Sequence, residues 1–218
     1  SFAIFLVALH YWPHAVASKN TIKVGVISGA DEDLLKVAQR VAERKYGLHI
    51  KIVGFSDYVQ PNVALNNGSI DANIFQHVPY LNAQIKAHGY HISPIGKTFV
   101  FPFGFYSKKI NRLSDLKENA IVAIPNYPSN EGRALLLLQQ AKVIDLRSGV
   151  GLFPTPKDIT ENKQHLKFVE LNAAQIPRSL NNVAIGGLTN DYTAPAGFTS
   201  SQAVLLEGSN SPYANVVA

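Results

Sequence analysis

The chain has 218 residues, 46% of them hydrophobic and 16% charged, with 20 Lys and Arg against 15 Asp and Glu for a formal net charge of +5. It contains no cysteine, which excludes disulfides, thiolate metal ligands, a cysteine nucleophile and cysteine-borne lipid within this sequence. The basic residues are scattered and cluster at most in pairs such as Lys108-Lys109, so the repeated phosphate contacts of a nucleic-acid groove are not expected.

Residues 1–17 carry no Lys, Arg, Asp or Glu. Phe2 to Leu9 has the length of a signal-peptide core, Pro13 breaks it, and Ala15-Val16-Ala17 supplies small residues ahead of Ser18. The run is about half of the ~18 apolar residues that a membrane-spanning helix needs. The expectation is export to the periplasm with a mature start near Ser18, the front of the signal lying outside this sequence. The alternative is a buried N-terminal strand or helix.

Thr21 to Ile27 alternates and then turns fully apolar, as a strand entering a sheet core does. Asp31, Glu32 and Asp33 open a helix that Gly47 ends, and Leu48 to Phe55 is a second strand, making a strand-helix-strand unit with a parallel crossover. The alternation continues with a helix around Val59–Asn67, a strand over Asp71–Phe75, a helix over Pro79–His88 and a strand from His91, which predicts an α/β architecture. Phe99, Phe101, Phe103 and Phe105 would share one face of an extended strand, with Pro102 marking a sheet edge or a crossing between lobes; a plain core strand is the other reading. A buried strand over Ala120–Ile124 leads into the loop 125–129 and a helix through Leu138, capped by Ser129 or Asn130. Strands near Lys167–Leu171 and Val183–Leu188 flank a helix over Ala173–Leu180, and the sequence ends in a strand at Val216.

Open α/β sheets bind ligands in loops at the carboxyl ends of strands. Two such loops carry polar residues: Phe75-Gln76-His77 with Tyr80, and Asn126 to Arg133. Arg133, one turn into a helix, suits a carboxylate because guanidinium binds both oxygens and the helix start adds positive potential. It could instead pair with Glu131 or Asp145 on the surface, and His77 alone could be a satisfied structural histidine. No HxH, HExxH, GxGxxG, P-loop or GxSxG spacing occurs, so no metal site or cofactor is expected.

These segments resemble the NlpA-type lipoprotein family, the methionine-binding components of bacterial ABC importers. The resemblance rests on DANIFQHVPY at 71–80, PNYPSNEGRALLLLQ at 125–139, PRSL at 177–180 and SPYAN at 211–215, with DYVQPNVAL at 57–65 and KTFVFP at 97–102. It implies a two-lobed periplasmic binding protein, type II-like, each lobe a mixed sheet flanked by helices: lobe one from 18–98 plus 190–218, lobe two from 99–189. It further implies a side-chain pocket of Tyr58, Phe75, His77 and Tyr80, closed by Phe99 or Phe101, where aromatic rings suit a thioether. Arg133 would hold the ligand carboxylate, with Asn130, Asn190 and Asn215 completing the hydrogen bonds to the zwitterion. The implied protein is not an enzyme; it is a monomer that captures L-methionine and delivers it to an inner-membrane ABC permease with its ATPase. D-methionine, a methionine peptide or another apolar amino acid are the alternative ligands, and a periplasmic enzyme acting on a small acid is a further one.

The sequence departs from that family in four places. Ala17-Ser18 stands where members carry a lipidated cysteine, so lipid anchoring is not expected. Tyr127 replaces a common acidic residue. Gly186 and Gly187 interrupt an aliphatic strand, with the contact asparagine shifted toward Asn190. Members also continue some tens of residues beyond Ala218, so the first lobe is expected to lack its closing elements.

Overall fold

The computed structural model describes residues 20–208 and 211–218; the segment 1–17 read as a signal lies outside the described residues. The chain runs β1 (Thr21–Ile27), α1 (Ala30–Tyr46), β2 (His49–Phe55), α2 (Gln60–Asn66), β3 (Ala72–His77), α3 (Val78–His88) and β4 (Gly96–Lys97). It then forms β5 (Gly104–Tyr106), β6 (Ile121–Pro125), α4 (Pro128–Gln140), β7 (Asp145–Leu146), β8 (Ile159–Glu161) and β9 (Lys167–Leu171). The last elements are α5 (Ile176–Ser179), β10 (Ile185–Leu188), α6 (Asn190–Thr193), β11 (Leu205–Leu206) and β12 (Asn215–Val217).

Two mixed five-stranded sheets result, ordered β2-β1-β3-β12-β4 and β11-β5-β10-β6-β9, and a β7-β8 pair stands apart. In the first sheet, β1 pairs in parallel with both β2 and β3, the geometry expected of strand-helix-strand units. In the second, β6 pairs in parallel with β10 and β9, while β5 runs antiparallel to β10. The fold is α/β with two lobes, each a mixed sheet flanked by helices.

Local chemistry sets the helix ends. Helix α1 carries Glu32 and Asp33 in its first turn and Arg44 and Lys45 in its last, both favourable to the helix dipole. Gly47 then takes the left-handed conformation at φ 60° that ends it. In the second sheet Val122 and Ile124 are fully buried against Leu135 and Leu138 of α4, while Ala123 packs in the cluster of Ile176 and Leu180. Gly186 and Gly187 lie where a Cβ would come within 2.8 Å of Ile176 and 2.5 Å of Phe103, so close packing of neighbouring side chains explains their place in an otherwise apolar strand.

Several expected boundaries differ. The aromatic segment is not one strand. Pro102 lies in the crossing between sheets, where the ring centroids of Phe99 and Phe101 lie 4.6 Å apart, while Phe103 and Phe105 continue into the second core. Of the strand expected from His91, only Gly96–Lys97 pairs, along β12. Helix α4 starts at Pro128, ahead of both residues proposed to cap it, because proline at the first turn loses no hydrogen bond. The helix expected over 173–180 breaks into a short 3-10 turn and α5, with Pro177 starting the second piece. The reading that returned the chain to the first lobe at 190 meets a further difference: β11 hydrogen-bonds to β5 in the second sheet, and the chain re-enters the first sheet at Asn215.

Candidate functional site

The carboxyl end of β3 feeds directly into α3, and His77 sits at the junction as the helix N-cap. Its Nδ1 accepts from the Tyr80 backbone N–H at 3.1 Å, so the ring proton lies on Nε2, which donates to Asn130 Oδ1 at 3.0 Å. Both nitrogens are thus engaged, one within the first lobe and one across to α4 of the second. Burial holds His77 down to about 4, with the nearby Arg133 charge adding to the effect, so the imidazole is neutral at pH 7. Behind it, Asn62, Asn73 and Gln76 form a buried amide network that ties α2 to β3.

The aromatic wall is built from Tyr58, Phe75 and Tyr80, whose ring centroids lie 5.9 to 6.0 Å apart. The Tyr80 hydroxyl donates to the Tyr58 carbonyl at 2.8 Å, which fixes the two rings to each other. Tyr127 adds a third tyrosine at 6.2 Å from Tyr58 and 5.7 Å from Tyr80.

Arg133 projects from α4 and is 4% exposed. It pairs with neither Glu131 nor Asp145. Its Nε donates to Glu207 Oε1 at 3.1 Å, its Nη2 donates to Glu207 Oε2, and Nη2 also donates to the Phe101 carbonyl at 2.8 Å. The guanidinium carbon lies 4.4 Å from the Tyr213 ring centroid. Nη1 makes no hydrogen bond among the described residues. The fork is therefore aimed by Glu207, a backbone carbonyl and an aromatic face, and one nitrogen stays free.

Tyr58, Phe75, His77, Tyr80, Asn130, Arg133, Asn190 and Asn215 all line one cleft between the sheets. Register explains Asn215, which lies opposite His77 where β12 pairs with β3. Phe101 lines the cleft as well, with the Phe99 ring tilted against it. Gln76, already singled out with the loop after β3, lines it too, and Thr189 and Asp191 are further lining residues that sequence reasoning missed. The Tyr58 hydroxyl donates to Asp191 Oδ2 at 2.5 Å and shares a 2.7 Å hydrogen bond with Thr189 Oγ1. The only acidic residue after Asp191 is Glu207, a sequence signal that could have flagged it as a partner for a buried cation. Among the described residues there is no grouping of three or more metal-ligating side chains, and no helix is long and apolar enough to cross a membrane.

A cleft lined by aromatic rings, asparagines and one arginine can hold a small molecule with an apolar tail and a polar head. The chain is 51% identical over 201 residues to the D-methionine-binding lipoprotein MetQ of Salmonella typhimurium, spanning 91% of this chain and 74% of that relative. A solved ABC transporter periplasmic substrate-binding protein from Coxiella burnetii is 53% identical, covering 90% of this chain and 83% of its own, with a TM-score of 0.87. A nutrient binding protein from Burkholderia cenocepacia, solved bound to methionine, is 48% identical with the same coverages and a TM-score of 0.87. The family described as NlpA lipoprotein matches residues 22–218, which is nearly all of the described structure, and the chain belongs to that family.

Proposed function

We propose that this protein is a periplasmic substrate-binding protein that captures methionine between its lobes and delivers it to an inner-membrane ABC importer. The observation that carries the reading is the cleft itself: an aromatic wall of Tyr58, Phe75 and Tyr80 beside a preoriented Arg133, in a chain 48% identical to a protein solved with methionine. The rings offer sulfur-aromatic contacts worth about 0.3–1.5 kcal/mol each, and Arg133 donates to the ligand carboxylate through Nη1, which makes no hydrogen bond among the described residues. Asn130, Asn190 and Asn215 supply further hydrogen bonds to the polar head.

The residues come from both sheets, and Tyr58, His77, Tyr80, Asn130 and Arg133 are each no more than 5% exposed. A ligand therefore enters when the lobes separate about the crossing at 98–103 and the return of the chain from β11 to β12. Closure is stabilised by contacts made to both lobes at once. The His77–Asn130 hydrogen bond is one of the contacts that opening breaks.

L-methionine is the first ligand to test, with D-methionine, a methionine dipeptide and leucine as competitors, since the Salmonella relative's name specifies the D form. Calorimetry should give one-to-one binding of methionine. Arg133→Ala should weaken it by about 2–5 kcal/mol, the cost of truncating one partner of a buried charge pair. Unchanged affinity in that variant would remove Arg133 from the site.

A further inference from the structure

The cleft contains a second buried charge that the reading above leaves unused. Asp191, in the first turn of α6, is 5% exposed and lines the cleft; Asp31, in the first turn of α1, is 2% exposed and lies beside it. Neither Asp31 oxygen has a hydrogen-bond donor within reach, nor has Asp191 Oδ1. Burial together with the Asp191 charge pushes Asp31 up to about 9, and burial pushes Asp191 up as well, so the two acids share one proton and one negative charge. Asp191 receives the Tyr58 hydroxyl on Oδ2. A carboxylate offers about four lone-pair sites, which leaves Oδ1, buried without a partner, as open capacity.

The charge count of the cleft points to what fills that capacity. Arg133 is already neutralised by Glu207, and His77 is neutral. Among the described residues neither Asp31 nor Asp191 makes an ion pair. One negative charge is thus buried without a cation, an arrangement that is costly until a cation arrives.

We propose that Asp191 receives the α-ammonium of the bound amino acid and so selects α-amino acids over analogues that lack the amino group. The inference rests on the amino-acid reading of the cleft. It assigns the ammonium to a carboxylate, where the asparagines alone would offer only neutral acceptors.

The test is calorimetry on the full chain at pH 7 with L-methionine and with 4-(methylsulfanyl)butanoate, which keeps the thioether and carboxylate but has no ammonium. The wild type should bind methionine at least tenfold more tightly than the analogue. Asp191→Asn should lose at least tenfold in methionine affinity while its affinity for the analogue holds or rises. If the wild type binds both equally, or the variant keeps the full preference for methionine, the inference is overturned. If the wild type binds neither, the methionine reading itself fails. Should Asp191→Asn not fold, a crystal structure of the wild type with methionine decides: an ammonium nitrogen within about 3 Å of Asp191 supports the assignment, and an ammonium held only by asparagines and carbonyls overturns it.

Discussion

Arg133 and Asp191 are buried to a similar degree and line the same cleft, yet the fold treats them differently. The arginine comes with a counter-ion, Glu207, and with a carbonyl and an aromatic face that fix its direction. The aspartate comes with a tyrosine hydroxyl and shares a proton with Asp31, but among the described residues it has no cation. The first arrangement spends its charge on orientation, so that a ligand meets a fork already aimed. The second keeps its charge available, and it holds the pocket poised for a positive group. A pocket for zwitterions can therefore be built from one satisfied and one unsatisfied ion.

The largest effect should come from breaking the satisfied end. Glu207→Ala leaves a guanidinium that is 4% exposed without its anion, and uncompensated buried charges of this kind cost about 3–5 kcal/mol. Chemical denaturation without ligand should register that loss. Glu207→Gln, which keeps an acceptor but not the charge, should lose less. If Glu207→Ala is neutral, the ion pair is not what holds Arg133, and the contrast between the two ends collapses.

The unsatisfied end should reveal itself through pH. Asp31 holds its proton in the folded state up to about 9 but releases it near 3.8 when unfolded, so the folded state binds the extra proton throughout that interval. Stability is therefore lost as pH rises toward 9. His77, held down to about 4, and Glu131, pushed up to about 7 by burial and then by Glu170, have largely completed their changes by pH 8. Between pH 8 and 9 the slope should belong to the Asp31–Asp191 pair, amounting to about 1 kcal/mol, since the limiting slope of ~1.4 kcal/mol per pH unit falls off near pH 9. Asp31→Asn, which donates a hydrogen bond without titrating, should flatten that arm in urea denaturation series. An alkaline slope that survives the substitution would place the proton elsewhere.

The features that sequence made legible are those encoded locally. Glycines 47 and 89 end helices where the chain must turn left-handed, apolar runs such as Val122–Ile124 are core strands, and Pro102 interrupts an aromatic series at a crossing. The loop after β3 and the start of α4 stood out because their polar residues had no local use. Contacts between distant segments were not legible. Glu207 lies 74 residues from Arg133, and Asp191 lies 133 from Tyr58, separations at which periodicity carries no information. Strand β11 escaped notice because two residues carry no alternation, and the short pairing at β4 depends on β12 arriving from the far end of the chain. The alternative to a ligand role for Arg133 was a pairing with its nearest acids in sequence, Glu131 or Asp145, whereas the fold brings it Glu207.

The smallest effect, and the sharpest test of the contrast, is Tyr58→Phe. The substitution keeps the ring among Phe75 and Tyr80, so the aromatic wall is retained, and removes only the hydroxyl that donates to Asp191. Asp191 would still receive the Asp31 proton, and Thr189 would lose one partner. A lost hydrogen bond to a charged group is worth about 1.5–3 kcal/mol, and the retained donor should keep the loss toward the low end, well below that of Glu207→Ala. Denaturation of the ligand-free variant measures it directly. A loss as large as that of Glu207→Ala would mean that Asp191 depends on Tyr58 as fully as Arg133 depends on Glu207. The aspartate would then be a structural acceptor already spoken for, with little capacity left for a ligand.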